Sequence, residues 1–237
     1  MKPYIRTGLI WSALMIAIMV GAVVWMVDAL PKDGPVPVHF DMEGTPNRYA
    51  SRFEAILIFS SLPAISAIVT VILAIAPSLD PRGTNIDAGR KAYVAVWVGV
   101  MIVLALATVG SCMILVNAVN GTPAGPGIVR GIIAACALLF VAMGNYLPKT
   151  RPSFILGVRT PWTLSSDIAW EKTHRLAGRL FIGAGLLGFL GAFVLDGIWP
   201  VVPLVALSMT AALVSVIYSY FAWRSADDRD NGTGRTG

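Results

Sequence analysis

The chain reads as an all-α, six-helix polytopic membrane bundle, and three observations carry that expectation. Of its 237 residues 56% are hydrophobic and 13% charged, about half the charged share of an ordinary soluble domain. Mean hydropathy is +0.73. Six apolar stretches, Gly8 to Leu30, Ala55 to Ala76, Ala92 to Val116, Ile128 to Leu147, Leu176 to Leu195 and Ile198 to Trp223, are each long enough for a hydrocarbon core of ~30 Å, which takes about 20 residues of helix. Lipid offers no water to backbone N–H and C=O groups, so each stretch must close its own hydrogen bonds as a helix.

The first stretch follows Lys2 and Arg6, as a signal peptide would. Its apolar length exceeds the roughly 7–15 residues of a signal core and no small-x-small site precedes Pro31, which predicts a retained anchor. In the polar loop over 31–54, Pro31, Pro35 and Pro37 forbid a helix, while Val36, Val38 and Phe40 alternate as in an extended segment. Glu43 to Asn47 supplies turn residues, and Arg52 and Glu54 introduce the second span. With Asp28 and Asp196 beside Asp33, Asp41, Glu43 and Glu54, this face leans acidic, which attracts cationic peptides or metal ions. His39 and Asp41 point the same way along the extended segment, and with Glu43 they are candidates to bind a metal or carry a proton.

Within the spans, Cys112 and Cys136 lack C-x-x-C spacing and are expected to be small packing residues. Pro63 and Pro203 are expected to kink their helices. No charged residue sits at mid-membrane depth, which argues against a proton-coupled transporter or pump.

Basic residues set the orientation. Six spans place the N-terminus, the 77–91 loop, the 148–175 loop and the tail on one side, with 14 of the 18 Lys and Arg; Lys32, Arg48, Arg52 and Arg130 stand on the other. The positive-inside rule then puts both termini in the cytoplasm. A net charge of +5 follows from that topology and an anionic inner leaflet, so membrane lipids are implied as partners and direct nucleic-acid binding is not.

The densest polar cluster lies between the fourth and fifth spans, where GNYLPKTRPSFILGVRTPWTLSSDIAWEKTHRLAG runs from Gly144 to Gly178. Pro148 ends the fourth span, and Pro152 keeps the following backbone extended. Thr160-Pro161 reads as an N-cap and first helical residue, or as a turn, with Trp162 at interfacial depth. Ser165 or Ser166 caps a further helix with Asp167 in its first turn, and that helix runs on into the fifth span. Asp167, Glu171, His174 and Arg175 then share one stripe. Two readings follow. Asp167, Glu171 and His174 form a metal or proton site, since Glu-x-x-His serves in bundle metal sites, or Glu171 stitches to Arg175 or Lys172 while His174 bonds the loop. Arg159 either stacks on Trp162 or forks onto a carboxylate such as Asp167, or else it receives an anionic lipid or partner. Trp170 is expected as a membrane-interface anchor, and Asn145 lies near a helix end.

Two resemblances rest on these residues. Leu30-Pro31, Pro37-Val38-His39-Phe40, Gly44, Pro46 and Tyr49 resemble a small bacterial membrane domain of unassigned function. Gly144-Asn145, Pro148-Lys149, Gly157-Val158-Arg159-Thr160-Pro161-Trp162-Thr163-Leu164, Trp170 and Thr173-His174-Arg175 with Gly178 resemble the SdpI family of bacterial immunity proteins. Where that family pattern carries an Asn shortly before Gly-x-Arg, this chain has Arg151-Pro152-Ser153-Phe154.

The resemblance implies a six-helix protein of the bacterial cytoplasmic membrane that protects its producer against a membrane-attacking peptide toxin, sometimes relaying the toxin's presence to a cytoplasmic transcription regulator. On that division residues 1–91 form an N-terminal membrane module, 92–223 a four-span SdpI-like module with its signature loop at 148–175, and 224–237 a disordered tail. No cofactor is called for. No nucleophile and base are paired in sequence, so binding stands ahead of turnover. The alternative is a metal-dependent membrane enzyme using Asp167, Glu171 and His174.

Overall fold

A computed structural model describes residues 1–41, 45–81, 83–122, 125–197 and 199–229, with 83 and 84 by backbone. Helices α1 (Pro3–Ala29), α2 (Arg52–Leu79), α4 (Arg90–Val119), α5 (Gly127–Tyr146), α7 (Asp167–Val194) and α8 (Val201–Arg224) are the six spans, the fourth continuing through a 3-10 turn, Leu147–Lys149. Two short helices, α3 (Gly83–Ala88) and α6 (Pro161–Leu164), lie in the connections at one end of the bundle. At the other end, β1 (Val36–Phe40) and β2 (Pro46–Ala50) pair antiparallel with an irregular register.

That hairpin adds a small sheet to the expected all-α bundle. Extended backbone was legible in the alternating Val36, Val38 and Phe40, but its partner strand was not, because Pro46-Asn47-Arg48 reads as turn chemistry. Val36 is fully buried with Met26, Leu30, Ala55, Cys112 and Leu115, so the hairpin is pinned to the end of the bundle. Arg52 strengthens this joint. Its guanidinium donates to the carbonyls of Val27 (2.8 Å), Leu30 (2.7 Å) and Pro31 (3.2 Å), at and just beyond the negative dipole end of α1.

The helices overrun the apolar stretches because their end turns need only bonding partners and not lipid. Helix α7 starts at Asp167, nine residues before the apolar run of the fifth span, and Ser166 caps it by accepting from Ala169 N–H at 3.0 Å. Pro63 lies inside α2, but Pro203 falls in the first turn of α8. There its missing N–H would have had no helical acceptor, so the expected break at Pro203 does not arise.

Helix α1 packs on α2 and α4, α7 lies between α5 and α8, and α4 with α5 joins the two groups. The first group centres on Trp97, fully buried with Met19 and Met101 and donating its indole N–H to Ser12 at 2.9 Å. In the second, small residues bring backbones together as membrane helices require. A Cβ at Gly178 would stand 2.6 Å from the Gly144 carbonyl, and one at Gly144 equally close to that of Gly178. Cys112 is buried, Cys136 half-buried, and both are free thiols.

Candidate functional site

Residues 150–160 are neither helix nor strand, yet they are folded against the bundle, so their backbone polar groups must find partners other than a regular ladder. Side chains supply them. The indole N–H of Trp170 donates to the Thr150 carbonyl at 3.1 Å. Ser153 accepts from Leu156 N–H and donates to its carbonyl. His174 Nε2 accepts from Val158 N–H at 2.9 Å, and Thr163 Oγ1 donates to the Val158 carbonyl at 2.8 Å.

His174 is fully buried on the inner face of α7. Its Nδ1 lies 2.8 Å from the Trp170 carbonyl. Only one tautomer satisfies both contacts: Nδ1–H donates to Trp170, leaving Nε2 as the acceptor for Val158. The rings of Trp170 and His174 stack with centroids 3.9 Å apart. Gly157 passes directly over this pair at φ +111°, where a Cβ would fall on His174 Nε2 and lie 3.0 Å from the Trp170 ring. Loop and rings therefore make one packed knot.

Its far edge is the short helix α6. Thr160 caps it in a reciprocal box with Thr163, Pro161 takes the first helical position, and Thr160 Oγ1 also lies 3.0 Å from Ser219 Oγ on α8. Trp162 meets Tyr220 edge-on at 5.3 Å. The expected cap and first residue are thus where the sequence puts them.

Of the two readings of the stripe on α7, the structure builds the second. Glu171 and Arg175 pair on the exposed face, Asp167 is exposed, and His174 turns inward with both nitrogens engaged. The four do not converge, and among the described residues no group of three His, Cys, Asp or Glu could hold a metal. Arg159 neither forks onto Asp167 nor stacks on Trp162; it donates to the Phe154 carbonyl at 2.5 Å, because the loop curls back beneath it. Trp170 is 2% exposed and is a core residue of the knot rather than an interface anchor. Its spacing of four from His174 places both on the buried face. Asn145 is exposed and accepts from Lys149 at 3.1 Å.

At the hairpin end, His39 Nδ1 lies 2.6 Å from Asn47 Oδ1, and Asp41 accepts from Thr45 N–H at 2.7 Å. Each bonds across the hairpin. Glu43 and Gly44 lie outside the described residues, as do 230–237 of the expected disordered tail. Short of those, the tail is held: Ala226 is buried, and Asp228 accepts from Ser166 Oγ at 2.5 Å and Ile168 N–H at 3.1 Å. Partial burial pushes the Asp228 carboxyl up, but these hydrogen bonds outweigh it and hold the group below the usual carboxylate range.

Two further residues join the knot to the rest of the chain and a third ties in the N-terminus, and no local pattern announces them. Asp80 accepts from Phe154 N–H at 2.9 Å, Asn85 donates to the Pro152 carbonyl at 2.7 Å, and Asp87 receives Lys2 at 2.7 Å and Tyr4 at 3.0 Å. The Lys2 hydrogen bond is the main cause that lowers the Asp87 carboxyl below its ordinary value. The N-terminus, the α2–α4 connection and the 150–160 loop are thereby laced together at one end of the molecule.

Residues 149–219, which span the knot, α7 and most of α8, match the SdpI/YfhL protein family. Residues 14–62, covering most of α1, the hairpin and the start of α2, match a domain of unknown function, DUF1648. The chain is 23% identical over 87 residues to the Immunity protein SdpI of Bacillus subtilis (strain 168), a match covering 37% of this chain and 42% of that protein. It thus spans about two fifths of that curated relative's length. No solved structure matches the chain.

Proposed function

We propose, from the match of residues 149–219 to the SdpI/YfhL protein family, that the chain is a membrane immunity protein that protects its producer against a membrane-active peptide toxin by binding. The observation that carries the binding reading is the engagement of His174. Both its nitrogens hold backbone, and the neighbouring carboxylates turn away to solvent or to Arg175. A general base must reach a proton on its substrate, and this imidazole is committed to the loop. In this reading Arg159, Trp162, Trp170 and His174 serve by shaping the cytoplasmic face, with Asn145, Asp167, Glu171 and Arg175 exposed on or beside it.

The chain sits in the bacterial cytoplasmic membrane with both termini inside, a reading supported by the basic asymmetry of the loops. Residues 1–91 act as the N-terminal module, displaying the hairpin with His39 and Asp41 outward, and 92–223 as the SdpI-like module. Asp80 and Asn85 tie the first to the signature loop of the second, a physical route by which an outer event reaches the face that a transcription regulator would read.

Expression in a sensitive bacterium challenged with membrane-active peptides tests the reading. Survival should scale with the ratio of this protein to peptide, and peptide recovered from protected cells should be chemically intact. Cleaved peptide would establish turnover instead. Thiol labelling of Thr45→Cys from outside, and of Arg151→Cys only after permeabilisation, checks the orientation.

A further inference from the structure

A groove of about 340 Å³ opens between α1 and α2 near the hairpin end of the bundle. Its walls are apolar, formed by Val20, Val24 and Val27 of α1 and Ile56 of α2. Asp28 stands in its lining on one side, with Ser60 and Pro63 on the other. A volume at the lower end of the ligand-pocket range suits one or two side chains better than a whole folded partner.

Among the described residues the carboxylate of this groove lacks a partner. Asp28 is exposed and makes no ion pair or hydrogen bond there; Lys32, the cation nearest in sequence, does not pair with it, and three other cations of this end are engaged elsewhere. Arg52 is spent on three backbone carbonyls, Arg48 pairs with Glu54, and Arg130 pairs with Asp196. A carboxylate beside an apolar trench calls for a positive group on an apolar stem. Lys and Arg side chains have that form, lying along apolar surface with the charged head at the water. The phosphate of an anionic phospholipid would instead meet Asp28 as a like charge.

We propose that the α1–α2 groove is the docking site of a cationic amphipathic peptide, which lays an apolar side chain against the valines and sets a Lys or Arg on Asp28. The assignment rests on the immunity reading and names where the toxin class is intercepted. Such a peptide lies in the membrane interface with its apolar face down, the depth at which the last turn of α1 meets the first turns of α2.

The test uses the full chain in phosphatidylcholine nanodiscs, free of anionic lipid, with a synthetic Leu/Lys amphipathic helix carrying a photoreactive leucine as probe. Crosslinks should map to 20–28 and 56–63. Asp28→Asn should lower their yield by about fivefold, the size of a partly solvated ion pair, while Asp28→Glu retains it. Ser60→Trp should fill the groove and abolish crosslinking, with the melting profile showing that the variant is folded. Equal crosslinking by a Leu/Glu helix of the same design would overturn the proposal. So would a photoreactive phospholipid that labels the groove and is not displaced by the Leu/Lys peptide. In cells, wild-type protection that survives both Asp28→Asn and Ser60→Trp would overturn the groove and leave the immunity reading standing. A wild type that protects against no peptide would overturn the immunity reading, and the nanodisc result then decides the groove alone.

Discussion

At the hairpin end, His39 stands near the surface and meets a single side chain, Asn47, across a two-stranded ribbon. At the opposite end His174 is wholly buried, with one nitrogen on the Trp170 carbonyl and the other on the Val158 amide. The same imidazole is an ornament of a strand in one place and the fastening of an irregular loop in the other. The difference lies in what the backbone around each needs. Paired strands satisfy each other's N–H and C=O groups, whereas the 150–160 segment has no ladder and depends on side chains for the same service. Polar residues at the loop end are therefore costly to change, and those at the hairpin end are free to serve a partner.

Glycine substitutions break this comparison most severely. Gly157 and Gly34 both hold positive φ, +111° and +105°, but a Cβ meets His174 and Trp170 at the first and nothing within 4 Å at the second. Gly34→Ala should show the backbone strain alone, of order 1–3 kcal/mol. Gly157→Ala adds overpacking of a further ~1–3 kcal/mol, and should sharply reduce folded protein. Thermal melting in detergent, compared between the two variants, measures the gap. Equal losses would mean that the knot is looser than its contacts.

Histidine replacement comes next. His174→Ala leaves the Val158 N–H buried without an acceptor and opens space beneath the loop, so a loss of about 1–3 kcal/mol is expected. His39→Ala should stay within about 0.5 kcal/mol, as surface changes do. If His39→Ala abolishes protection at normal protein levels while His174→Ala acts only through the amount of folded protein, the hairpin end is the business end.

How far these ends were legible in sequence follows the range of the forces involved. The six spans were, because lipid demands an unbroken apolar length that a linear reading can find. The caps at Thr160 and Ser166 were too, since an N-cap acts within three residues. The inward turn of His174 was recognised only as one of two readings, because helical spacing places Asp167, Glu171 and His174 near one another without saying which way the helix faces. Arg159 and Trp170 were misjudged for a related reason: their partners are set by how the loop curls. Asp80, Asn85 and Asp228 could not be found at all. Their partners lie 74, 67 and 62 residues away, and no local pattern reports such a pairing.

A smaller effect tests the lacing between the two groups of helices. Asp80→Ala and Asn85→Ala each remove one hydrogen bond to the 152–154 backbone, with about 1 kcal/mol expected for each. Because the bonds grip adjacent residues of one loop, the double variant should be non-additive. Hydrogen exchange of 152–156 is the readout. Faster exchange there, with α7 unchanged, would show that the lace orders the loop and leaves the helix to its own packing. Simple additivity would make the two bonds independent surface contacts.

The smallest expected effect is the pH response of the loop end. Asp87, held low chiefly by the Lys2 hydrogen bond, and Asp228, held low by Ser166 and the Ile168 N–H against its own partial burial, both have depressed folded-state carboxyls. A depressed carboxyl contributes stability that is fully present above its unfolded value, near 3.9 for Asp, and is lost as pH falls through the lower folded value. From neutrality down to about pH 5 both groups thus stay ionised and the lacing should not change. Below the ordinary carboxylate range the N-terminal turn of α1 loses Lys2–Asp87, and the start of α7 loses its tail cap. Both losses are modest because the groups are exposed and screened. Hydrogen exchange at residues 3–7 and 166–170, followed between neutral and acidic pH, should stay flat and then rise only at the acid end. Asp87→Asn should remove the rise at 3–7 and leave that at 166–170 intact. A rise already present near pH 6 would mean that some other group titrates into the lacing, and these two carboxylates would not be what holds the ends of the chain to the loop.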